Sequence, residues 1–386
     1  MNRGVAAQGS RQFWVDHLRT FIIFLVVNMH ACVTYSHVGS WYIKEGVEPA
    51  TFSKLGFVFW QAHLQSFFMG LMFFLAGWFS PGSLESRGIR SFLAERGRRL
   101  GVPALVYMAL LHPFMVFGLL GYPRVEPRPS WMELYSKFWA SGKILSASGP
   151  LWFALALLAF SLVYALVHRT SRRAIDPLSP HPLTLTQCAA FVGCLAIGTF
   201  LARLYFPLGS DVLNFQLANF AQYIGAFAVG IRARNQGWLD AFLDSSLARH
   251  AWIVGLVLGP LFLALLLVAG GLPPPSGPMP YAGGWNSQAA GLAAWEQVTG
   301  TALGIACLHF FRTHVSKPTA MRTWLSNRAF GVYVFHAPIL VALTLALRPL
   351  QTGAWLQMFT LTATGLIASF IVADLVRRIP CLRRFF

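Results

Sequence analysis

Ten long apolar runs divide this chain, and they constrain its fold more than any other feature. A helix crosses a hydrocarbon layer with roughly 20 apolar residues, and each run is close to that length. Backbone groups in lipid must be satisfied within the membrane segment, which favours helices. We therefore predict an all-α, polytopic membrane bundle of about ten transmembrane helices. The runs are 14–36, 56–79, 100–120, 150–168, 186–205, 213–231, 250–271, 290–311, 328–347 and 354–376.

The Lys and Arg residues lie mainly between these runs and favour alternate connecting segments. Of 30 such residues, 22 fall on the side of the N-terminus, 7 fall on the opposite side, and Arg203 lies within a run. The positive-inside rule then places both termini in the cytoplasm of a multi-pass inner (plasma) membrane protein. We therefore attribute the net charge of +17 to membrane topology and to contact with anionic lipid, rather than to nucleic-acid binding. We expect one domain over 1–386, with its bundle at 10–376 and short basic tails.

The first apolar run carries Asp16, Arg19 and His30. Arg19 and His30 are 11 residues apart, about three helical turns, so they share a face and lie about 16 Å apart along the axis. Such a polar stripe must face the bundle interior or a water-filled cavity. Two interpretations stay open. Either Asp16 and Arg19 form a boundary ion pair while His30 makes a structural hydrogen bond, or the stripe is functional.

A basic stretch, residues 87–103, leads into the third apolar run. Within it Arg96 and Arg99 are three residues apart and therefore neighbours on one helical face. Guanidinium groups match phosphate oxygens in pairs, so an anion site is one interpretation. The other is that these arginines only hold the segment in the cytoplasm.

Several segments carry a family resemblance when they are taken in order. They are Arg19 followed after ten residues by His30, "FFMGLMFFLAGWFS" (67–80), "FLAERGRRLGVP" (92–103), "LWFALALL" (151–158) and "LSNRAFGVYVFHAPIL" (325–340). Together they resemble the acyltransferase 3 family of integral membrane acyltransferases over nearly the whole chain. The first run, "FFLAGWFS" and "RRIPCLRRFF" look most like the branch that succinylates osmoregulated periplasmic glucans.

The resemblance implies transfer of an acyl group from cytoplasmic acyl-CoA to a hydroxyl of an exported acceptor, usually a carbohydrate. Acetyl-CoA and succinyl-CoA are the expected co-substrates. By the same resemblance His30 corresponds to the catalytic histidine and Arg19 to the arginine of its motif. Arg96 and Arg99 correspond to the arginine pair associated with the donor.

The residues alone also favour His30 as the base, because an imidazole titrates near neutral pH. Other candidates have two interpretations each. Glu296 either orients an outer-half histidine or is a solvated helix end. Arg203 either binds an anionic acyl group or acceptor, or extends to the interface. His63 and His336 either contact substrate or make structural hydrogen bonds.

A proton-coupled transporter or flippase is the alternative function, since ten helices with buried polar residues would also suit export. No clear internal repeat or pair of broken helices supports it. Zinc-ligand spacings, a Walker motif and a dinucleotide glycine fingerprint do not occur in the sequence. We therefore expect no metal and no tightly bound cofactor. The residues do not specify the acyl group, the acceptor or the oligomeric state.

Overall fold

The computed structural model describes residues 11–170, 183–271, 279–383 and 385. Within these ranges the chain is almost entirely helical and forms no β-strand. The predicted N-terminal tail, residues 1–10, lies outside the described residues, as do two residues of the C-terminal tail.

The α-helices are α1 (Phe13–Ser36), α2 (Thr51–Arg96), α3 (Val102–Val106), α4 (Trp131–Ala140), α5 (Trp152–Thr170), α6 (Leu185–Tyr205), α7 (Phe220–Gln236), α8 (Leu239–Leu243), α9 (Ser246–Ile253), α10 (Gly259–Gly270), α11 (Ser287–His314), α12 (Ala320–Ser326), α13 (Ala329–Leu347), α14 (Ala354–Arg378) and α15 (Pro380–Arg383). Wider π-helical turns flank α3 at Gly97–Gly101 and Tyr107–Leu111 and continue at Phe114–Leu119. A similar turn, Val254–Leu258, joins α9 to α10.

All ten predicted apolar runs are helical over most of their length. In the described part of the chain, seven helical stretches are long and apolar enough to cross a membrane. Two predicted runs share one of these, Thr51–Leu119, while α7 and α11 are not among them. Both of these helices bury polar side chains, which lowers their hydropathy. The all-α polytopic class is confirmed, whereas the number of crossings and the side of the termini stay predictions.

The basic stretch before the third run is helical. The helix α2 extends to Arg96, well beyond the apolar run, and bends at Gly88, where φ is +71°. A positive φ of this size is readily adopted only by glycine. The bend carries the arginines toward the same end of the bundle as the start of α1.

The centre of the bundle is built on close helix crossings. The α2 and α7 backbones approach so closely that a Cβ at Gly77 would lie 2.1 Å from the Phe227 carbonyl oxygen. A Cβ at Gly230 would likewise lie 2.2 Å from the Phe74 carbonyl oxygen. Small residues at crossings permit this approach inside membranes. Around this pair, α11 packs on α2 and α6, and α1 packs against α2, α13 and α14.

Candidate active site

The helix α1 carries the two ends of the candidate site. The Arg19 guanidinium lies 4.6 Å from the centre of the Phe79 ring of α2. Toward the other end of α1, Trp60 of α2 donates its indole N–H to Asn28 Oδ1 at 2.8 Å. The two helices are therefore antiparallel. Arg19 and His30 are separated by about 16 Å along α1.

Two other rings lie against the His30 imidazole, and they are 6.4 Å from each other. The Trp41 ring stacks on the His30 imidazole with centroids 3.7 Å apart and planes 15° apart. The His336 imidazole of α13 lies 5.3 Å from His30, with its plane tilted by 18°. Stacked rings at these separations fix the plane of the imidazole. The structure thus brings together two of the histidines that the sequence singled out.

The segment 37–50, which follows α1, folds back to deliver Trp41. His37 ends α1 with a φ of 59°, and the Glu45 N–H donates to the Thr34 carbonyl at 3.0 Å. Arg348, just beyond α13, donates its Nε–H to the Glu45 carboxylate at 2.8 Å. This return segment covers the C-terminal half of α1 and closes the histidine pair from one side.

Three buried polar atoms around His30 have no hydrogen-bond partner within the described residues: His30 Nδ1, Trp41 Nε1 and His336 Nε2. The His336 Nδ1 lies 2.8 Å from the Tyr333 carbonyl oxygen. Because that carbonyl can only accept, Nδ1 carries a proton, and in the neutral imidazole Nε2 keeps its lone pair. Buried polar groups are nearly always hydrogen-bonded in native proteins, so such a cluster is where a polar ligand is expected.

Phenol groups extend this cluster toward α5. The Tyr42 hydroxyl lies 3.1 Å from the Tyr107 hydroxyl and 3.0 Å from His112 Nδ1. Burial raises the pKa of the Tyr42 phenol, so it stays protonated. The Tyr333 hydroxyl donates to the carbonyl oxygen of Pro150. The cluster of His30, Trp41, Tyr42 and His336, which we call the aromatic–histidine cluster, therefore sits in a hydrogen-bonded frame.

The basic end of the site is formed by arginines of α1 and α2 and of the turn that follows. Arg96 interacts electrostatically with Arg19, Arg99 and Arg87. Arg99 and Arg87 both pair with Glu95, and the Arg99 side chain is 62% exposed. Arg19 and Arg96 rest on aromatic rings and form no ion pair with any described residue. Two guanidinium groups are thereby left to attract an anion.

Asp16 and Arg19 make no direct ion-pair contact, although the Asp16 charge still acts electrostatically on Arg19. Asp16 accepts instead from the Nε–H of Arg11 at 2.6 Å. Asp16, in the first turn of α1, can be reached both by Arg19 and by residues before the helix. Arg11 reaches it from the irregular residues before α1. Arg19 is directed toward Phe79.

Glu296 and Arg203 pair with each other inside the bundle, away from the aromatic–histidine cluster. Arg203 Nη2 donates to the Glu296 carboxylate at 2.5 Å and to Asn219 Oδ1 at 3.1 Å. Arg203 is fully buried and Glu296 is 8% exposed. The interpretation of Glu296 as a solvated helix end and that of Arg203 as a side chain extending to the interface are therefore both wrong. No hydrogen bond joins Glu296 to His30 in the part of the chain that the structure describes.

His63 of α2 contacts α11, the helix that carries Glu296. Its Nδ1 is 2.7 Å from the Phe59 carbonyl oxygen, and its ring meets the Trp295 ring edge-on at 5.0 Å. Its buried Nε2 has no partner among the described residues. The predicted site residues thus fall into three groups: the basic end, the aromatic–histidine cluster, and the Arg203–Glu296 pair with His63.

Comparison with known proteins identifies the family. A family model described as an acyltransferase domain, that of acyltransferase 3, matches residues 12–374. The chain belongs to the acyltransferase 3 family. This acyltransferase 3 protein is 22% identical, over 97% of its length and 94% of the relative's, to Glucans biosynthesis protein C of Escherichia coli O1:K1 / APEC.

The same name, identity and coverage apply to proteins of E. coli strain SMS-3-5 / SECEC and of Shigella dysenteriae serotype 1 (strain Sd197). No solved structure matches the chain. The family resemblance seen in the sequence is confirmed, and the protein is a multi-pass membrane acyltransferase.

Sequence reasoning missed Trp41, Tyr42 and Tyr107 in this acyltransferase 3 protein. Trp41 and Tyr42 lie in the connection between the first two apolar runs, 14–36 and 56–79. Helical periodicity carries no information about such a segment. The adjacent aromatic residues "WY" were the available signal, since large rings in a short connection tend to be buried against the bundle.

Proposed function

We propose that this protein is a membrane-embedded O-acyltransferase that moves an acetyl or succinyl group from cytoplasmic acyl-CoA to a hydroxyl of an exported carbohydrate or glycan. The observation that carries the proposal is the imidazole of His30. Its buried Nδ1 has no partner among the described residues, its ring lies against Trp41 and His336, and it shares one helix with Arg19.

The donor end would hold the phosphates of CoA. Arg19 and Arg96 carry guanidinium groups without carboxylate partners among the described residues. Guanidinium groups bind phosphate oxygens through paired, charge-assisted hydrogen bonds. With the phosphates at this end, the pantetheine arm would run along α1 for about 16 Å toward His30. Arg99 would add charge from the exposed side.

His30 would act as the general base. It takes the proton of the acceptor hydroxyl while the oxygen attacks the thioester carbonyl carbon. The carbon–sulfur bond then breaks, and the imidazolium returns the proton to the departing thiolate, which leaves as free CoA. The Trp41 N–H is a buried donor suited to an oxygen of the reacting groups. The products are the ester and CoA, with no oxidation or reduction.

The carbohydrate acceptor and the inner membrane location rest on two supports. The relatives named Glucans biosynthesis protein C match the chain over 97% of its length. The Lys and Arg distribution predicts cytoplasmic termini, which would leave the aromatic–histidine cluster toward the exterior. An enzyme that binds its donor on the cytoplasmic side of the membrane and its acceptor near the exterior is suited to modify an exported glycan.

A transfer assay tests the proposal. Purified protein in lipid nanodiscs is incubated with a glucan oligosaccharide and with radiolabelled acetyl-CoA or succinyl-CoA, and the sugar is separated and counted. Label is expected in the sugar as an alkali-labile ester with one of the two donors. Absence of transfer with both donors, together with dissipation of a proton gradient by the protein in liposomes, would instead establish the transporter alternative.

A further inference from the structure

A partly open cavity shares no lining residue with the aromatic–histidine cluster. It is a cavity of about 360 Å³ between α2, α6, α7, α8 and α11. Its volume falls in the range of small-molecule sites, which are mostly apolar with a few polar groups. None of the residues assigned to the proposed reaction lines it.

The wall of this cavity is apolar and partly made by glycine. Phe67, Leu195, Ala226 and Ile305 contribute hydrocarbon surface. At Gly304 an added Cβ would meet no atom within 4 Å. The space beside Gly304 is therefore open, so the missing side chain widens the cavity rather than allowing two helices to touch.

The two ends of the cavity are polar in different ways. Gln222 lies at one end, where its amide donates to the Ser66 carbonyl at 2.6 Å. Arg232 lies ten residues later on the same helix, α7, about 15 Å along the axis. Arg232 is exposed and forms no ion pair with any residue that the structure describes. A long apolar space thus ends at a cation that has no carboxylate partner in the described part of the chain.

The helix α6 on one side of the cavity is peripheral. Its buried residues are Leu195, Thr199 and Arg203, which form one narrow stripe. The remaining surface of this strongly apolar helix faces outward, where the bilayer lies. Lipid is therefore the apolar material nearest to the cavity.

We propose that this cavity binds one hydrocarbon chain of an anionic phospholipid, with its phosphate against Arg232. Basic pockets between transmembrane helices are suited to anionic head groups. The apolar wall takes the chain, the guanidinium takes the phosphate, and the chain's net charge of +17 favours an anionic lipid. This site is separate from the proposed acyl transfer and does not depend on it.

The test uses the full-length protein in nanodiscs of phosphatidylcholine and titrates it with phosphatidylglycerol, detecting bound lipid by native mass spectrometry. Gly304→Phe fills the cavity, and Gly193→Phe is its matched control, because Gly193 is also open but lies on the opposite face of α6 from the lining residues. Arg232→Gln removes the cation. Arg234→Gln is its control, since Arg234 lies beside Gly82 rather than in the cavity.

We expect wild type and both controls to retain phosphatidylglycerol through delipidation. Arg232→Gln should bind phosphatidylglycerol about fivefold more weakly, the effect of one lost basic group at a lipid head, and Gly304→Phe should lose retention. Wild-type retention in both test variants would overturn the proposal. So would equal retention of phosphatidylcholine by wild type, or displacement of the lipid by long-chain acyl-CoA. If Gly304→Phe fails to fold, the Arg232 pair still decides the outcome.

Discussion

The His30 imidazole lies against both Trp41 and His336, and its buried Nδ1 has no partner among the described residues. The Arg19–His30 spacing could be read from the sequence because both residues lie on one helix and helical geometry fixes their relation. The stacking partners could not, because Trp41 reaches His30 through an irregular segment and His336 comes from α13. Contacts of that kind depend on tertiary packing rather than on local pattern.

Replacement of Trp41 tests whether the stacked ring and its N–H serve the reaction. Trp41→Phe keeps a ring but removes one donor, and we expect a two- to tenfold fall in kcat, about the value of one neutral hydrogen bond. Trp41→Ala should fall further because the ring stacking is also lost. Steady-state transfer kinetics measure both variants.

Trp60→Phe is the matched control, because it makes the same change at an indole whose N–H is already bonded to Asn28, outside the cluster. It should leave kcat within twofold of wild type, an expectation for a group that meets no reacting atom. Wild-type kcat in Trp41→Ala would contradict a role for this ring.

Two structural elements are each held by an ion pair, and the two pairs differ in burial. The return segment 37–50 is tied by Glu45 to Arg348 at the surface, and α6 is tied to α11 by Arg203 and Glu296 in the interior. Sequence patterns identified the helices but paired none of these charges. An ion pair between elements hundreds of residues apart leaves no local signal, so Glu296 and Arg203 carried separate interpretations.

The surface pair should matter little for stability. Exposed ion pairs contribute about 0–1 kcal/mol, so Glu45→Arg and Arg348→Glu are each expected to lower transfer activity by less than about fivefold through a looser return segment. The double reversal should restore activity, because the opposite charges again meet. Equal loss in the double variant would mean that the pair does not hold the segment. Activity at saturating substrate is the measurement.

The interior pair, Arg203 and Glu296, should contribute more to stability than the surface pair. Glu296→Gln leaves the Arg203 charge buried without its carboxylate, and removing one partner of a buried pair costs about 3–5 kcal/mol. The apparent Tm in detergent should fall accordingly. Arg203→Met combined with Glu296→Gln should recover much of that loss, because no uncompensated charge remains.

Asp240→Asn serves as the comparison for Glu296→Gln, because Asp240 pairs with Arg312 while 76% exposed. It should change the free energy of unfolding by less than about 1 kcal/mol. Equal shifts in Tm for the two variants would show that the Arg203–Glu296 pair is not truly buried in the folded protein.

The whole molecule is a polytopic helical bundle whose class followed from its apolar runs. Its internal arrangement did not, because the α2–α7 contact depends on glycines whose partners lie far away in the chain. The helices α7 and α11 also show what the apolar pattern cannot predict. They are not among the strongly apolar stretches because they bury Gln222, Glu296 and Gln297 against other helices.

The predicted topology can be measured by cysteine labelling in intact cells, after the five native cysteines are replaced by serine. Asp211→Cys, in a segment without Lys or Arg, should react with a membrane-impermeant reagent. Lys317→Cys, in a basic segment, should react only after permeabilisation. Both positions are exposed, so accessibility reports the side of the membrane. The reverse labelling pattern would mean that the site has the opposite orientation in the membrane.

Separate measurement of donor binding and acyl transfer tests the central claim. The claim is that the basic end of the site anchors the donor, while His30, toward the other end of α1, removes the proton. His30→Ala should bind labelled acyl-CoA with the wild-type Kd and transfer it at least about 100-fold more slowly, as for loss of a general base. Arg96→Gln should weaken binding by about tenfold or more, the loss of a charge-assisted hydrogen bond, whereas Arg99→Gln, already paired with Glu95, should change it less. Wild-type transfer by His30→Ala, or donor binding unaffected by Arg96→Gln, would contradict the account.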